Sequence, residues 1–188
     1  MDEQDPPTWP RSEERDRAQI AAVIHRYCRA LDRMDKELAL SCWHAEGTDS
    51  HAPLYSGSAS GFVEWLWPVH ASMLSTHHMV GNTLIDLRGD EAGAETYWSV
   101  TLRIPQDGRV FDYRGVGRYI DIFAYRNGRW AIQHRQSIRD MSRTDELAGT
   151  AATGSQVSPQ MPKATSLDEE ILTRRDKDDY SYRVLQRY

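Results

Sequence analysis

Apolar residues recur at helical spacing in the first third of the chain and at every second position afterwards, so the pattern alone predicts helices first and a sheet later. Ile20, Val23, Ile24, Tyr27, Cys28 and Leu31 follow the i, i+3, i+4, i+7, i+8, i+11 spacing of one helix face. Ser12, ahead of Glu13, Glu14 and Arg15, is a suitable N-cap, and the helix it opens runs to about Asp32. Asp35 caps a short second helix carrying Leu38, Leu40, Cys42 and Trp43, which Gly47 ends. A short strand is expected around Thr48 to Ala52. Residues 57–61 then lead into a third helix with Phe62, Leu66, Val69 and Met73 on one stripe.

From residue 76 the period becomes two. Ala94, Thr96, Trp98, Val100, Leu102 and Ile104 alternate with Glu95, Tyr97, Ser99, Thr101 and Arg103. Asp107-Gly108 and Asn127-Gly128 are hairpin turns. Trp130, Ile132 and Ile138 then alternate with Arg135, Ser137 and Arg139, completing an antiparallel meander behind three helices, an α+β arrangement. Residues 1–12, with three prolines and no period, read as a flexible arm, and 13–142 as the folded domain. Residues 143–188 form an extension: a linker over 143–166, then a short helix opened by Ser166-Leu167-Asp168-Glu169 and a tyrosine-bearing tail. That tail is apolar enough to pack on the domain or on a neighbouring subunit.

One polar residue breaks the first stripe. At ~100° per residue Asp32 falls on the edge of the apolar face, and burying its carboxylate costs several kcal/mol unless a cation or hydrogen-bond donor meets it. His78, where a helix hands over to the sheet, is a candidate partner: an imidazole held by a carboxylate is a general base near neutral pH, and the alternative is a partly buried structural histidine. Arg135 and Arg139 share a strand face with Ser137 between them, which suits an oxyanion in a closed pocket or, equally, a solvated face opposite Trp130 and Ile132. His44, Asp49 and His51 could be drawn into a metal cluster, but they lack metal-ligand spacing.

Charge and composition narrow the partners. A net charge of −5 with interspersed signs offers no basic stripe for phosphates, so nucleic acid is not an expected partner. Cys28 and Cys42, both in apolar patterns, point to a reducing compartment, and the acidic, proline-rich start is unlike a signal peptide, so a cytoplasmic location is expected. No window reaches 18 apolar residues, so no membrane partner is expected. Of the six tryptophans, nine tyrosines and three phenylalanines, thirteen cluster in 43–67, 97–125 and at 130, consistent with an aromatic core or with a deep apolar pocket.

Tyr27-Cys28-Arg29-Ala30-Leu31-Asp32, the spacing from Asp32 to Trp43, His78-Met79-Val80-Gly81-Asn82 and Asn127-Gly128-Arg129-Trp130 running on to Arg135 and Arg139 resemble the SnoaL-like branch of the nuclear transport factor 2-like superfamily, over roughly residues 13 to 142. The resemblance implies a cone-shaped α+β barrel: three helices against a curved, mostly antiparallel sheet around one apolar cavity. It also implies a cofactor-independent lyase, a dehydratase or a related elimination or C–C-cleaving enzyme, acting on an apolar aromatic or polycyclic hydroxylated small molecule. Asp32 would orient His78 as the base. Tyr27 and an arginine would aid the leaving group; Arg139 matches the arginine of one such lyase and Arg135 that of another. Trp43, Trp67, Tyr97 and Asn82 are the expected substrate contacts. Where one of those lyases has a second catalytic acid, Trp98-Ser99-Val100-Thr101-Leu102 has none. The superfamily also holds isomerases, polyketide-type cyclases, non-catalytic ligand-binding proteins and small subunits of ring-hydroxylating oxygenases, so those readings stay open. A sheet covered on one face predicts a homo-oligomer, a trimer or a dimer.

Overall fold

A computed structural model describes residues 11–147, 174–179 and 181–185. Its elements are α1 (Glu13–Asp32), α2 (Lys36–Ser41), β1 (Trp43–His51), β2 (Tyr55–Ser58), α3 (Ala59–Ala71), β3 (Ser75–Arg88), β4 (Glu91–Gln106), β5 (Arg109–Arg126), β6 (Arg129–Glu146) and α4 (Ser181–Val184). The helix opened by Ser166 in the sequence reading, and residues 1–10 of the arm, lie outside the described residues. Arg11 is tied down, with its guanidinium on Asp16 and Asp90 and over the Tyr125 ring.

The strands form one curved, unclosed sheet in the order β2-β1-β6-β5-β4-β3, antiparallel throughout except for the parallel pair β1 and β6. The caps follow the sequence: Ser12 Oγ accepts from Arg15 N–H, Asp35 Oδ1 from Leu38 N–H, and Ser58 Oγ from Gly61 N–H. Asp107-Gly108 and Asn127-Gly128 are two-residue turns with positive φ at both positions, the conformation that matches strand twist in a hairpin. The core lies between the helices and the inner sheet face, where Ile20, Val23, Ile24 and Leu31 meet Phe123, Trp130 and Ile132. Leu84, Tyr97 and Ile122 remain exposed on the other face.

Three expectations shift. Trp43 opens β1 rather than closing α2, and Cys42 is the C-cap; a short apolar run carries no period long enough to separate helix from strand. β6 continues to Glu146, past the expected linker start at 143, because the long β5 still offers a partner there in Phe111. The third shift is a parity change in β6. In the β5 register Phe123 faces Ile132 and Ile122 faces His134, so Gln133 is a bulge residue. A bulge moves the side chains that follow it to the other face, here as far as the second register shift at Asp140. Arg135 therefore points inward, on the same side as Trp130 and Ile132, and is fully buried.

Candidate active site

α1 ends at Asp32, and a carboxylate at a helix C-terminus opposes the helix dipole, so it needs donors nearby. One residue supplies both. His78 N–H donates to Asp32 Oδ2 at 2.8 Å, and His78 Nδ1 lies 2.6 Å from Asp32 Oδ1. The main-chain donor is available because β3 is an edge strand, whose outward N–H groups lack a ladder partner. With an ionised Asp32, Nδ1 carries the proton and Nε2 is left as the acceptor. Both side chains are more than nine-tenths buried.

His78 lines a cavity of about 490 Å³ between the helices and the inner sheet face. Leu31, Phe62, Trp65, Leu66, Val100, Leu102 and Ile138 give it apolar walls, and Trp98 and Tyr119 stack on each other within it at 5.8 Å. Its polar groups are Tyr27, His51, His70, Tyr113, Gln136, Ser137 and Arg139, besides His78. Two buried nitrogens at this cavity, Trp98 Nε1 and His70 Nδ1, have no hydrogen-bond partner among the described residues, so each can be satisfied by a bound molecule. His70 sits 5.9 Å from His78, ring to ring, and burial pushes its pKa down to about 3, with the charge of His78 acting in the same direction. It is neutral at neutral pH.

The two arginines part company. Arg139 lines the cavity, with Nη1 3.4 Å from the Tyr113 hydroxyl. Arg135 lies behind the wall. Its Nε and Nη2 each donate to Asp121 at 2.7 Å, and its guanidinium packs on the rings of Tyr27 at 4.3 Å and Tyr119 at 4.0 Å. Burial raises the Tyr27 and Tyr119 phenols well above their ordinary range, with the Arg135 charge opposing it. Both phenols stay protonated.

Tyr27, His78 and Arg139 thus line one cavity, with Asp32 directly behind His78. The expected substrate contacts lie elsewhere. Trp43 is buried behind Tyr27, edge-on at 5.3 Å; Trp67 is half-buried on α3, where Trp65 and Leu66 reach the cavity instead; Tyr97 is on the outer face of β4; and Asn82 is exposed at the β3 bulge between Val80 and Thr83. His51, His70, Trp98 and Tyr119 reach the cavity without having been singled out as contacts. Trp98 was already on the apolar alternation of β4, and His70 lies four residues beyond Leu66 on the α3 stripe, so both carried a usable signal.

The C-terminal extension returns to this corner. Arg33 donates to the Arg174 carbonyl, Arg175 to the Met73 carbonyl and Tyr182 to Asp35, while Arg29 donates to Ser181 beneath the Tyr182 ring. Burial lowers the Arg175 pKa, with the charge of Asp32 opposing it.

An apolar cavity, a carboxylate-held imidazole on its wall and an open cone of helices on sheet define a class. The SnoaL-like domain family matches residues 12–136, and the chain belongs to that family, within the nuclear transport factor 2-like superfamily. No curated protein matches the sequence. Among solved structures the fold is similar to a protein from Kribbella flavida, Kfla4162, at 17% identity over 70% of this chain and 95% of that one, with a TM-score of 0.64. It is also similar to a candidate scytalone dehydratase from Novosphingobium aromaticivorans, at 19% identity over 77% and 96% with a TM-score of 0.63. A type 2 hexachlorocyclohexane dehydrochlorinase, LinA, is 14% identical over 79% and 97% with a TM-score of 0.65. At these identities the likeness establishes the fold. Among the described residues no helix is long and apolar enough to cross a membrane.

Proposed function

We propose that the protein is a cofactor-independent lyase that eliminates water from an apolar aromatic or polycyclic hydroxylated small molecule. The observation that carries this reading is the double hold of Asp32 on His78 at the wall of an apolar cavity. Such a hold fixes ring orientation and tautomer and stabilises the imidazolium that forms when Nε2 takes a proton. A carbon acid next to a carbonyl would give its proton to His78, and the developing oxyanion would be met by Arg139 and the Tyr27 hydroxyl. Arg135, one ring behind, is paired with Asp121 and braces the Tyr27 ring. His70, buried and neutral at neutral pH, adds no positive charge beside His78. Dehydratase and dehydrochlorinase names among the structural neighbours are compatible with elimination chemistry.

The test is turnover of β-hydroxytetralone, a bicyclic ketone with an acidic α C–H and a β hydroxyl. Loss of water gives a naphthol, detectable by its absorbance and by product mass. Conversion by the wild-type chain supports the lyase reading; a product of unchanged mass would make it an isomerase. Self-association through the exposed outer face around Leu84, Tyr97 and Ile122 is a further part of this proposal, and sedimentation as a monomer would refute it.

A further inference from the structure

Elimination of water moves two protons in opposite senses: one leaves carbon, and another must reach the departing oxygen. Asp32 and His78 account for the first. A second carboxylate–imidazole pair stands on β1, where Asp49 and His51, two residues apart, share the inner face. His51 Nδ1 lies 2.5 Å from Asp49 Oδ1. Asp49 is buried, while His51 reaches the cavity and stacks on Phe62 at 4.5 Å with the rings within 8° of parallel. Asp49 Oδ2 is buried with no hydrogen-bond partner among the described residues. The neighbour in register, Arg135 on β6, commits its Nε and Nη2 to Asp121, and its buried Nη1 has no hydrogen-bond partner among the described residues. The hydrogen bond between His51 Nδ1 and the Asp49 carboxylate fixes the orientation of the ring. With Nδ1 on the carboxylate, Nε2 is the nitrogen offered to the cavity.

In the sheet β6, β5 and β4 separate β1 from β3, so the two imidazoles come to one cavity from well-separated strands. Four other polar groups of the cavity are poorer proton donors. Tyr27 and Tyr119 are held protonated by burial, His70 carries no extra proton at neutral pH, and the guanidinium of Arg139 does not give one up.

We propose that His51, held in place by Asp49, is a catalytic residue that protonates the leaving oxygen while His78 removes the proton from carbon. The assignment rests on the elimination reading above. In the step, the C–H electron pair becomes the new C=C bond and the C–O bond breaks with its electrons on oxygen. The carbon proton ends on His78 Nε2, and the proton of His51 Nε2 ends in the released water. His78 is left charged and His51 neutral, and proton exchange with solvent restores both.

The pair of probes that tests this is β-hydroxytetralone and β-acetoxytetralone, since acetate leaves as an anion and needs no proton. In His51→Gln the ratio of acetoxy to hydroxy turnover is expected to rise by about 10²–10⁴-fold, the usual size of a general-acid contribution. Asp49→Asn keeps the shape of the buried side chain and is expected to shift the ratio in the same direction, so the assignment stays testable if the His51 variant is unstable. An unchanged ratio in both variants, whether turnover is kept or lost equally on the two probes, would overturn it. A wild-type chain inert to both probes overturns the elimination reading and this assignment with it.

Discussion

Asp32 holds His78 at two points, ring and main chain, with the two oxygens of a single carboxylate. The ring bond fixes the tautomer, and the main-chain bond fixes where β3 begins relative to the end of α1. Position and chemistry therefore depend on the same side chain.

Behind the cavity wall, the pair Arg135–Asp121 is completely buried, and breaking such a pair by removing one partner leaves an uncompensated charge. Asp121→Asn is expected to cost about 3–5 kcal/mol, read as a fall in the urea midpoint. Loss of less than about 1 kcal/mol, the scale of an exposed pair, would contradict full burial.

His70 predicts an acid-side weakness. Between the ordinary imidazole value of 6.5 and about 3, the unfolded chain binds a proton that the folded chain excludes. Stability contributed by this residue thus falls as pH drops through that window, by up to about 1.4 kcal/mol per pH unit, and is flat above it. In His70→Leu the stability difference from wild type is expected to become steadily more favourable to the variant below 6.5. Parallel stability–pH curves for the two proteins would show that His70 is not held neutral.

Gly117 permits the aromatic wall. A Cβ there would lie 2.0 Å from the Ile138 carbonyl oxygen and 2.6 Å from the Trp98 ring. Gly117→Ala is expected to displace Trp98 and to cost about 1–3 kcal/mol, the usual penalty of overpacking. Thermal unfolding together with tryptophan fluorescence reads both effects, and an unchanged melting curve would mean the strands separate there without strain.

The C-terminal return supports the Asp32 corner. Ending the chain before Arg174 removes the Arg175, Ser181 and Tyr182 contacts with Met73, Arg29 and Asp35. At about 1 kcal/mol for each net hydrogen bond, the melting temperature is expected to fall by several degrees, with faster amide exchange at the α1–α2 corner. Equal exchange with and without the segment would show that it does not dock.

Much of this was legible in the sequence because local signals agreed. The α1 stripe, its Ser12 cap and the two Asx-Gly turns each specify one conformation, and Asp32 was conspicuous because it violated the stripe. The inward turn of Arg135 was not legible, since one bulge residue, Gln133, reverses a parity that the sequence shows as unbroken alternation. Asp49 and His51 were visible only as an unconvincing metal set. Their spacing places both on one strand face, but which face looks into the cavity is decided by the long-range pairing of β1 with β6. Tyr97, by contrast, stood with Glu95, Ser99 and Arg103 on the polar side of the β4 alternation, and the register keeps it opposite Trp98, so its outer position was legible and its choice as a substrate contact went against the pattern.

The most direct test of the central claim, that Asp32 and His78 act together on a carbon-bound proton, is the rate of α C–H to C–D exchange of tetralone in D₂O, which needs no leaving group. The wild-type chain is expected to catalyse exchange, and Asp32→Asn to slow it by about 10³–10⁴-fold while the variant still folds, as loss of the orienting carboxylate does in other base-and-orienter pairs. Exchange at the same rate in a folded Asp32→Asn protein would contradict the account.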